Sequence, residues 1–230
     1  PWYVTHMWMA TYDNGLVAAH YGPCEVNARV ASGIPVRITC ATDYPFNDAI
    51  DLVITPQREA QFPLSFRIPG WCAHPSLQLN GAYLKADPDA SGFVRVARVW
   101  KPGDTVRLRF PMEARVTVGT DANAQNAPFA SVTYGPLLFA LPIAEKDENT
   151  PDPSARWRFA LDPRRANLAV ERGPMPARWD WPSASPLRLS VSAVPVGWSP
   201  SVEAPSLPPQ PLAAEGPAEH HVALVTLFEI

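Results

Sequence analysis

The chain has 230 residues, of which 28 are proline and 47% are hydrophobic, and its formal net charge is −3 at pH 7. Proline at more than twice the usual share of roughly 5% breaks helices, and the apolar content can fill a core, so an all-β protein is favoured over a helical or disordered one. The small charge, with no basic stripe, argues against a nucleic-acid partner, and no apolar run reaches the ~18 residues that a membrane helix needs.

The N-terminal segment is apolar on almost every side. Trp2 to Met9 shows no alternation, and the turn-forming run Tyr12-Asp13-Asn14-Gly15 follows it. This pattern predicts the end of a helix within residues 1–12, and so apolar a helix must be buried by another part of the protein. Because the sequence starts at Pro1 and offers no second helix, we expect a fragment whose helix is the remnant of an upstream domain.

Short runs of alternating apolar and polar residues dominate residues 13–118. Leu64 to Ile68 and Val106 to Phe110 alternate strictly, which is typical of strands with one buried face. Turn chemistry at Asn80-Gly81 and Pro102-Gly103-Asp104 separates strands. The other strands that we predict here are Gly15–Arg29 with a break at Tyr21-Gly22-Pro23, Ile34–Thr42, Ala49–Thr55 and Gly92–Trp100. The pattern predicts an antiparallel β-sandwich.

A stretch of small polar residues from Gly119 to Pro128 is typical of a domain boundary. We therefore place a second β domain at residues 119–230, and we expect it to be incomplete because the sequence ends within an apolar run. Its predicted strands are Phe129–Leu141 with a break at Tyr134-Gly135-Pro136, Trp157–Leu161, Leu168–Glu171, Leu187–Val194 and His221–Ile230, with proline-rich chain from Pro195 to Pro217. The complete prediction is an all-β protein with two antiparallel, jelly-roll-like β-sandwich domains after the N-terminal helix.

The acidic residues give no evident catalytic pair. Glycoside hydrolysis needs two carboxyl groups that flank the bond, whereas the acids here fall in predicted turns, where they cap the backbone or face solvent. They are Asp43, Asp48, Asp87, Asp89, Asp104, Asp121, Asp147 and Glu148. Asp87-Pro88-Asp89 with Ser91-Gly92 has the chemistry of a calcium loop, but two carboxylates make a poor cage, and we favour a hairpin loop.

Histidine and cysteine are too scattered to predict a metal centre. His20 with Cys24, and His220 with His221, have suitable ligand atoms, but a site needs three or four convergent ligands, and adjacent strand residues point to opposite faces. An odd number of cysteines fits neither a disulfide framework nor a zinc ribbon. The three cysteines, which we interpret as small buried side chains, are Cys24, Cys40 and Cys72.

Two pairs of tryptophans have alternative interpretations. Trp179 and Trp181 would share a face of a strand and could stack on sugar rings, although packing is favoured because large aromatic side chains are usually buried. Trp71 and Trp100 end predicted strands just beside turns. We expect the latter pair to lie in the core or at a domain contact.

Short motifs occur in a fixed order between roughly residues 7 and 145. They are Asp13-Asn-Gly-Leu-Val-Ala-Ala-His-Tyr-Gly-Pro-Cys-Glu-Val26, Thr42-Asp-Tyr-Pro45, Phe66-Arg-Ile-Pro-Gly-Trp71, Leu79-Asn-Gly81, Gly92-Phe-Val94, Trp100-Lys-Pro-Gly-Asp-Thr105, Pro111-Met112 and Tyr134-Gly-Pro-Leu137. This set resembles the β region of glycoside hydrolase family 127, the family of β-L-arabinofuranosidases and their relatives.

The resemblance implies a C-terminal β-sandwich region that packs on a catalytic (α/α)6 barrel. In that family the barrel holds a zinc ion through Cys and Glu and uses a Cys from an adjacent Cys pair as its nucleophile. Cys24, Cys40 and Cys72 do not match that pair. The resemblance therefore assigns no catalytic, cofactor-binding or metal residue here, and it implies zinc only for the absent barrel.

Three functions remain open at this stage. The leading hypothesis is the non-catalytic β part of such a hydrolase, which braces the barrel and assists assembly; arabinose-containing glycans would be the substrates of the parent protein, and the fragment alone would be inactive. A free-standing carbohydrate-binding module would present an exposed aromatic strip such as Trp179 and Trp181. An interaction domain would present an uncovered apolar sheet face. The apolar N-terminal segment also makes a homodimer possible.

Overall fold

The computed structural model describes residues 2–121, 127–142, 145–147, 150–151, 158–161, 167–177, 185–197, 216–217 and 219–227. It divides into two compact units, Pro1–Met112 and Glu113–Ile230. Among the described residues, no helix is long and apolar enough to cross a membrane.

The first unit contains one short helix and ten strands. They are α1 (Trp2–Thr5), β1 (Trp8–Ala10), β2 (Leu16–Ala18), β3 (Cys24–Val30), β4 (Ile34–Ala41), β5 (Ala49–Pro56), β6 (Ala60–Arg67), β7 (Ser76–Leu79), β8 (Ala82–Leu84), β9 (Phe93–Trp100) and β10 (Asp104–Arg109). These strands form a four-stranded sheet in the order β1-β2-β6-β9 and a six-stranded sheet in the order β3-β4-β5-β10-β7-β8. The neighbours are antiparallel except β2 and β6, which run parallel.

The inner faces of these two sheets share one core. Leu64 and Phe66 from β6 are fully buried, as are Ile50 and Ile54 from β5, and all four belong to the same cluster of packed side chains. Burial follows the predicted alternation: each second residue of β10 is buried and the residues between them are exposed. The alternating pattern arises because successive strand side chains point to opposite faces of the sheet.

Trp100 lies in this core, one of the two positions that the sequence predicts for it. Its side chain is 0% exposed, and its indole N–H donates a 3.0 Å hydrogen bond to the carbonyl oxygen of Phe62 on the neighbouring strand. Its ring centroid is 6.0 Å from that of Phe62. Trp71 is only partly buried and packs against the same core.

The predicted helix over residues 1–12 is wrong beyond its first turn. The helix α1 spans only Trp2–Thr5, and Trp8–Ala10 instead pairs with Leu16–Ala18 as a β-hairpin. The run that we interpreted as a helix stop is the hairpin turn: the Thr11 N–H donates to the Gly15 carbonyl at 3.1 Å, and Asn14 adopts φ = 60°. Asn tolerates that left-handed conformation in turns and at helix ends alike, so the same residues serve both structures.

Gly15 is required by the close approach of β2 to β6. A Cβ atom built on Gly15 would lie 2.2 Å from the carbonyl oxygen of Pro63 and 2.5 Å from its Cγ. The parallel contact between the two strands therefore depends on a residue without a side chain.

The described part of the second unit contains nine strands, seven of which form one sheet. Its strands are β11 (Ala114–Asp121), β12 (Ala127–Tyr134), β13 (Leu137–Ala140), β14 (Glu145–Asp147), β15 (Thr150–Pro151), β16 (Phe159–Leu161), β17 (Ala169–Arg172), β18 (Leu187–Pro195) and β19 (Glu219–Leu227). The large sheet has the order β11-β12-β13-β19-β18-β16, with β17 also paired to β18, and β14 pairs with β15 separately. The all-β class predicted from the sequence is confirmed.

The boundary between the units lies earlier than the expected residue 119. The second unit begins at Glu113, and β11 pairs antiparallel with β12 over eight residue pairs from Ala114↔Tyr134 to Asp121↔Ala127. The two described ends of the polar stretch, residues 119–121 and 127–128, therefore belong to paired strands within this unit. Most of the proline-rich chain from Pro195 to Pro217 lies outside the described residues.

Candidate functional site

The strongest candidate surface is formed by residues of helix α1, by His6 directly after the helix and by His20 just after β2. We call it the aromatic edge and define it as Trp2, Tyr3, Val4, His6 and His20. The side chains of Trp2 and Val4 are 68% exposed and that of Tyr3 is 47% exposed. Trp2 stacks on the His6 ring at a centroid distance of 4.4 Å, and Tyr3 lies 5.0 Å from the ring of His20.

The aromatic edge is attached to the core of the first unit through Tyr21. Tyr3 donates its hydroxyl to the carbonyl oxygen of Tyr21 at 2.9 Å, and Tyr21 in turn donates to the carbonyl oxygen of Arg67 at 2.8 Å. Tyr21, Tyr44 and Phe110 contact one another with centroid distances of 5.4–6.4 Å. Burial raises the pKa of both Tyr21 and Tyr44, so the two phenols stay protonated at neutral pH.

His20 is neutral at pH 7. Burial lowers its pKa, and electrostatic interaction with Arg67 and with the His6 ring lowers it further. Cys24, which the sequence offered as a metal partner of His20, lies opposite Cys40 on the neighbouring strand, and burial raises the pKa of its thiol. Within the described residues, no group of three or more His, Cys, Asp or Glu side chains could hold a metal ion. The aromatic edge thus offers apolar contacts and ring stacking.

The acidic residues of the first unit serve turns and ion pairs. Asp48 binds Arg109 at 2.8 Å, and Asp87 binds Lys85 at 2.6 Å. Asp89 accepts hydrogen bonds from the backbone N–H groups of Ser91 and Phe93 at 2.9 and 3.0 Å and so caps its own loop. The predicted hairpin is wrong, because this loop joins β8 to β9, which belong to different sheets.

Asp104 is the most buried of these acids. Its Oδ1 accepts a 2.8 Å hydrogen bond from the Asn80 amide, its Oδ2 accepts one of 2.9 Å from the Lys101 N–H, and Arg98 lies 3.7 Å from Oδ2. Burial raises the pKa of this carboxyl, but the Lys101 N–H, the Asn80 amide and the nearby positive charges outweigh that effect and hold the pKa below its usual value. Asp104 joins the β7–β8 turn to the β9–β10 turn.

Several residues singled out in the sequence lie outside the description. Trp179, Trp181 and Glu148 are not among the described residues, and nothing is described of the side chains of Asp121, Asp147, His220 and His221. Two other features were not predicted from the sequence. Tyr3 and His20 meet at the aromatic edge through the fold, and Cys24 lies directly opposite Cys40 on the neighbouring strand.

The outer face of the six-stranded sheet is polar. Arg107 binds Asp51 through two hydrogen bonds of 2.6 and 2.8 Å, and this pair lines a cleft of about 360 Å³. Gln78, Thr105 and Gly81 line the same cleft. Tyr83, on the edge strand β8 opposite Gln78, is 74% exposed.

Two facing sheets around one core define the first unit as a β-sandwich. Residues 15–112 match the family model described as the GH127 middle domain of β-L-arabinofuranosidase. The resemblance to glycoside hydrolase family 127 is confirmed for this part of the chain. The model is that of a middle domain, so the expected C-terminal position is not confirmed. No match was found among the curated proteins.

Solved structures of glycoside hydrolases have the same fold. A GH127 β-L-arabinofuranosidase from Geobacillus stearothermophilus T6 is 22% identical with a TM-score of 0.71, covering 96% of this chain and 32% of that one. A protein described as a glycoside hydrolase is 22% identical with a TM-score of 0.63, covering 93% and 33%. A GH127 β-arabinofuranosidase is 18% identical with a TM-score of 0.62, covering 94% and 32%. The chain spans about a third of the length of these structures.

Proposed function

We propose that this chain is the non-catalytic β part of a glycoside hydrolase similar to the β-L-arabinofuranosidases of family 127. The observation that carries the proposal is the match of residues 15–112 to the middle domain of that family. The fold shared with three glycoside hydrolase structures over more than nine-tenths of this chain supports it. The chemistry would reside in an upstream barrel with its own zinc, and arabinose-containing glycans would be the substrates of the parent protein.

The role we assign to this chain is to brace that barrel through the aromatic edge. Trp2 and Val4 expose large apolar surfaces at the point where the chain enters the first unit. Burying such a surface against another domain is favourable by roughly 25 cal/mol per Å² of apolar area. The buried Tyr21 backbone holds the Tyr3 hydroxyl, so the edge is fixed to the sandwich before any partner binds.

A carbohydrate-binding role is the second candidate. The exposed Tyr83 ring near the cleft of Gln78, Thr105 and Arg107 provides an aromatic face beside hydrogen-bonding groups, which is the combination that sugars require. The bidentate pair of Arg107 with Asp51 already uses the strongest polar groups of that cleft. We therefore rank barrel support first.

The bracing role predicts a contrast between the isolated chain and the parent hydrolase. In the isolated chain, Val4→Asp should leave the unfolding midpoint unchanged, because the side chain is exposed. In the parent, the same change should lower the midpoint of thermal inactivation, because a carboxylate would be buried against an apolar partner.

Tyr83→Asp is the matched control, since Tyr83 is also an exposed large side chain but lies on β8, away from the aromatic edge. It should be neutral in both proteins. A Val4→Asp parent as heat-resistant as the unmodified parent would refute the bracing role.

A further inference from the structure

Two of the three cysteines form a cross-strand pair. In the antiparallel register of β3 and β4, Cys24 lies directly opposite Cys40. Directly opposed residues on neighbouring antiparallel strands have Cα atoms about 4.5–5.5 Å apart, and disulfides span Cα distances of about 4.4–6.8 Å. All three cysteines are thiols in this structure. The backbone thus already holds Cys24 and Cys40 at a distance that a disulfide can bridge.

The two thiols differ in access. Cys40 is 7% exposed and belongs to the buried core cluster, whereas Cys24 is partly exposed and packs at its margin. Cys24 is therefore the thiol that a small reagent would reach first, and Cys40 is the thiol next to it.

We propose that Cys24 and Cys40 form a two-thiol redox site, which a low-molecular-weight disulfide converts to a cross-strand disulfide. This inference does not depend on the proposed function. The Cys24 thiolate attacks one sulfur of the small disulfide, forms a mixed disulfide and releases one small thiolate. The Cys40 thiolate then attacks the Cys24 sulfur and releases the second small thiolate. The two protons lost by the protein thiols are taken up by the two small thiolates, so the protein is oxidised by two electrons and the reagent is reduced by two.

The environment of the pair makes this exchange slow at neutral pH. Burial raises the pKa of the Cys40 thiol to about 12, and burial also raises that of Cys24. The thiolate is the attacking species, and below the pKa its fraction rises about tenfold for each pH unit. The rate of disulfide formation should therefore increase steeply between pH 7 and pH 9.

The test is incubation of the folded chain with oxidised glutathione, followed by alkylation of the remaining thiols and peptide mapping by mass spectrometry. The expected product is a monomer that has lost two hydrogens and contains a peptide linked between Cys24 and Cys40, and Cys72→Ser should give the same link. Cys40→Ser should instead accumulate a mixed disulfide of glutathione on Cys24, because the resolving thiol is gone.

Three results would overturn the proposal. They are a link that involves Cys72, a disulfide-bonded dimer, and three thiols that all remain alkylatable after prolonged incubation at pH 9. Mapping of the unmodified chain alone distinguishes these results, so the conclusion does not depend on whether a cysteine variant folds.

Discussion

Trp100→Ala should produce the largest loss of stability of any single substitution considered for the first unit. Truncation of a fully buried Trp costs about 3–5 kcal/mol, through lost apolar burial and the cavity that remains. The Phe62 carbonyl oxygen would also lose the indole N–H that it accepts at 3.0 Å. Urea-induced unfolding followed by circular dichroism measures the effect as a lower midpoint of the first unit's transition.

Two further variants separate the contributions at Trp100. Trp100→Phe retains a large ring and removes the N–H donor, so we expect it to destabilise the unit less than alanine does. Val99→Ala lies on the same strand, but Val99 is 45% exposed and should have little effect. If Trp100→Ala and Val99→Ala shifted the midpoint equally, Trp100 would not be a core residue in solution.

Asp104→Ala should produce the second largest loss. The carboxylate accepts hydrogen bonds from the Asn80 amide and the Lys101 N–H, and hydrogen bonds to charged groups are worth about 1.5–3 kcal/mol each. Because Asp104 is 7% exposed, water can replace these bonds only in part. The two turns that Asp104 joins would lose their common partner.

The same carboxylate predicts a dependence of stability on pH. Its pKa in the folded protein lies below that in the unfolded chain, for which the usual value is about 3.9. Its contribution is therefore fully present above the unfolded-state pKa and is lost as the pH falls through the folded-state pKa. Unfolding curves from pH 7 to pH 2 should show a smaller loss on acidification for Asp104→Ala than for the unmodified chain.

Asp51→Ala provides the control for Asp104. Asp51 pairs with Arg107 on the exposed face of the same sheet, where solvent screens the interaction and the net stabilisation is small. If Asp51→Ala cost as much as Asp104→Ala, the buried hydrogen bonds of Asp104 would not be the source of the effect.

The sequence predicted those parts of the fold that depend on local patterns. The alternation of Val106, Leu108 and Phe110 correctly placed one face of β10 in the core. The break at Tyr21-Gly22-Pro23 correctly separated two strands, β2 and β3, which belong to different sheets. These features depend on side-chain periodicity and on the backbone preferences of Gly and Pro, and both are visible in a single sequence.

Features that depend on long-range pairing could not be predicted in this way. The parallel pairing of β2 with β6 joins residues 48 positions apart, such as Leu16 and Leu64, and nothing local encodes it. The N-terminal segment was misinterpreted because Asn14-Gly15 suits a helix end and a hairpin turn equally. The pairing of Cys24 with Cys40 could have been predicted from the sequence, because the turn at Ala31 to Gly33 fixes the register of β3 and β4.

The central claim is that this chain supports a glycoside hydrolase without performing its chemistry. The most direct measurement is an assay of the purified chain on an aryl β-L-arabinofuranoside, with and without added zinc. We predict no turnover above the buffer rate in either condition, because a thiolate nucleophile needs a lowered pKa, whereas burial raises the pKa of the Cys24 and Cys40 thiols. Turnover that disappears on Cys24→Ser or Cys40→Ser would contradict the account and place the active site within this chain.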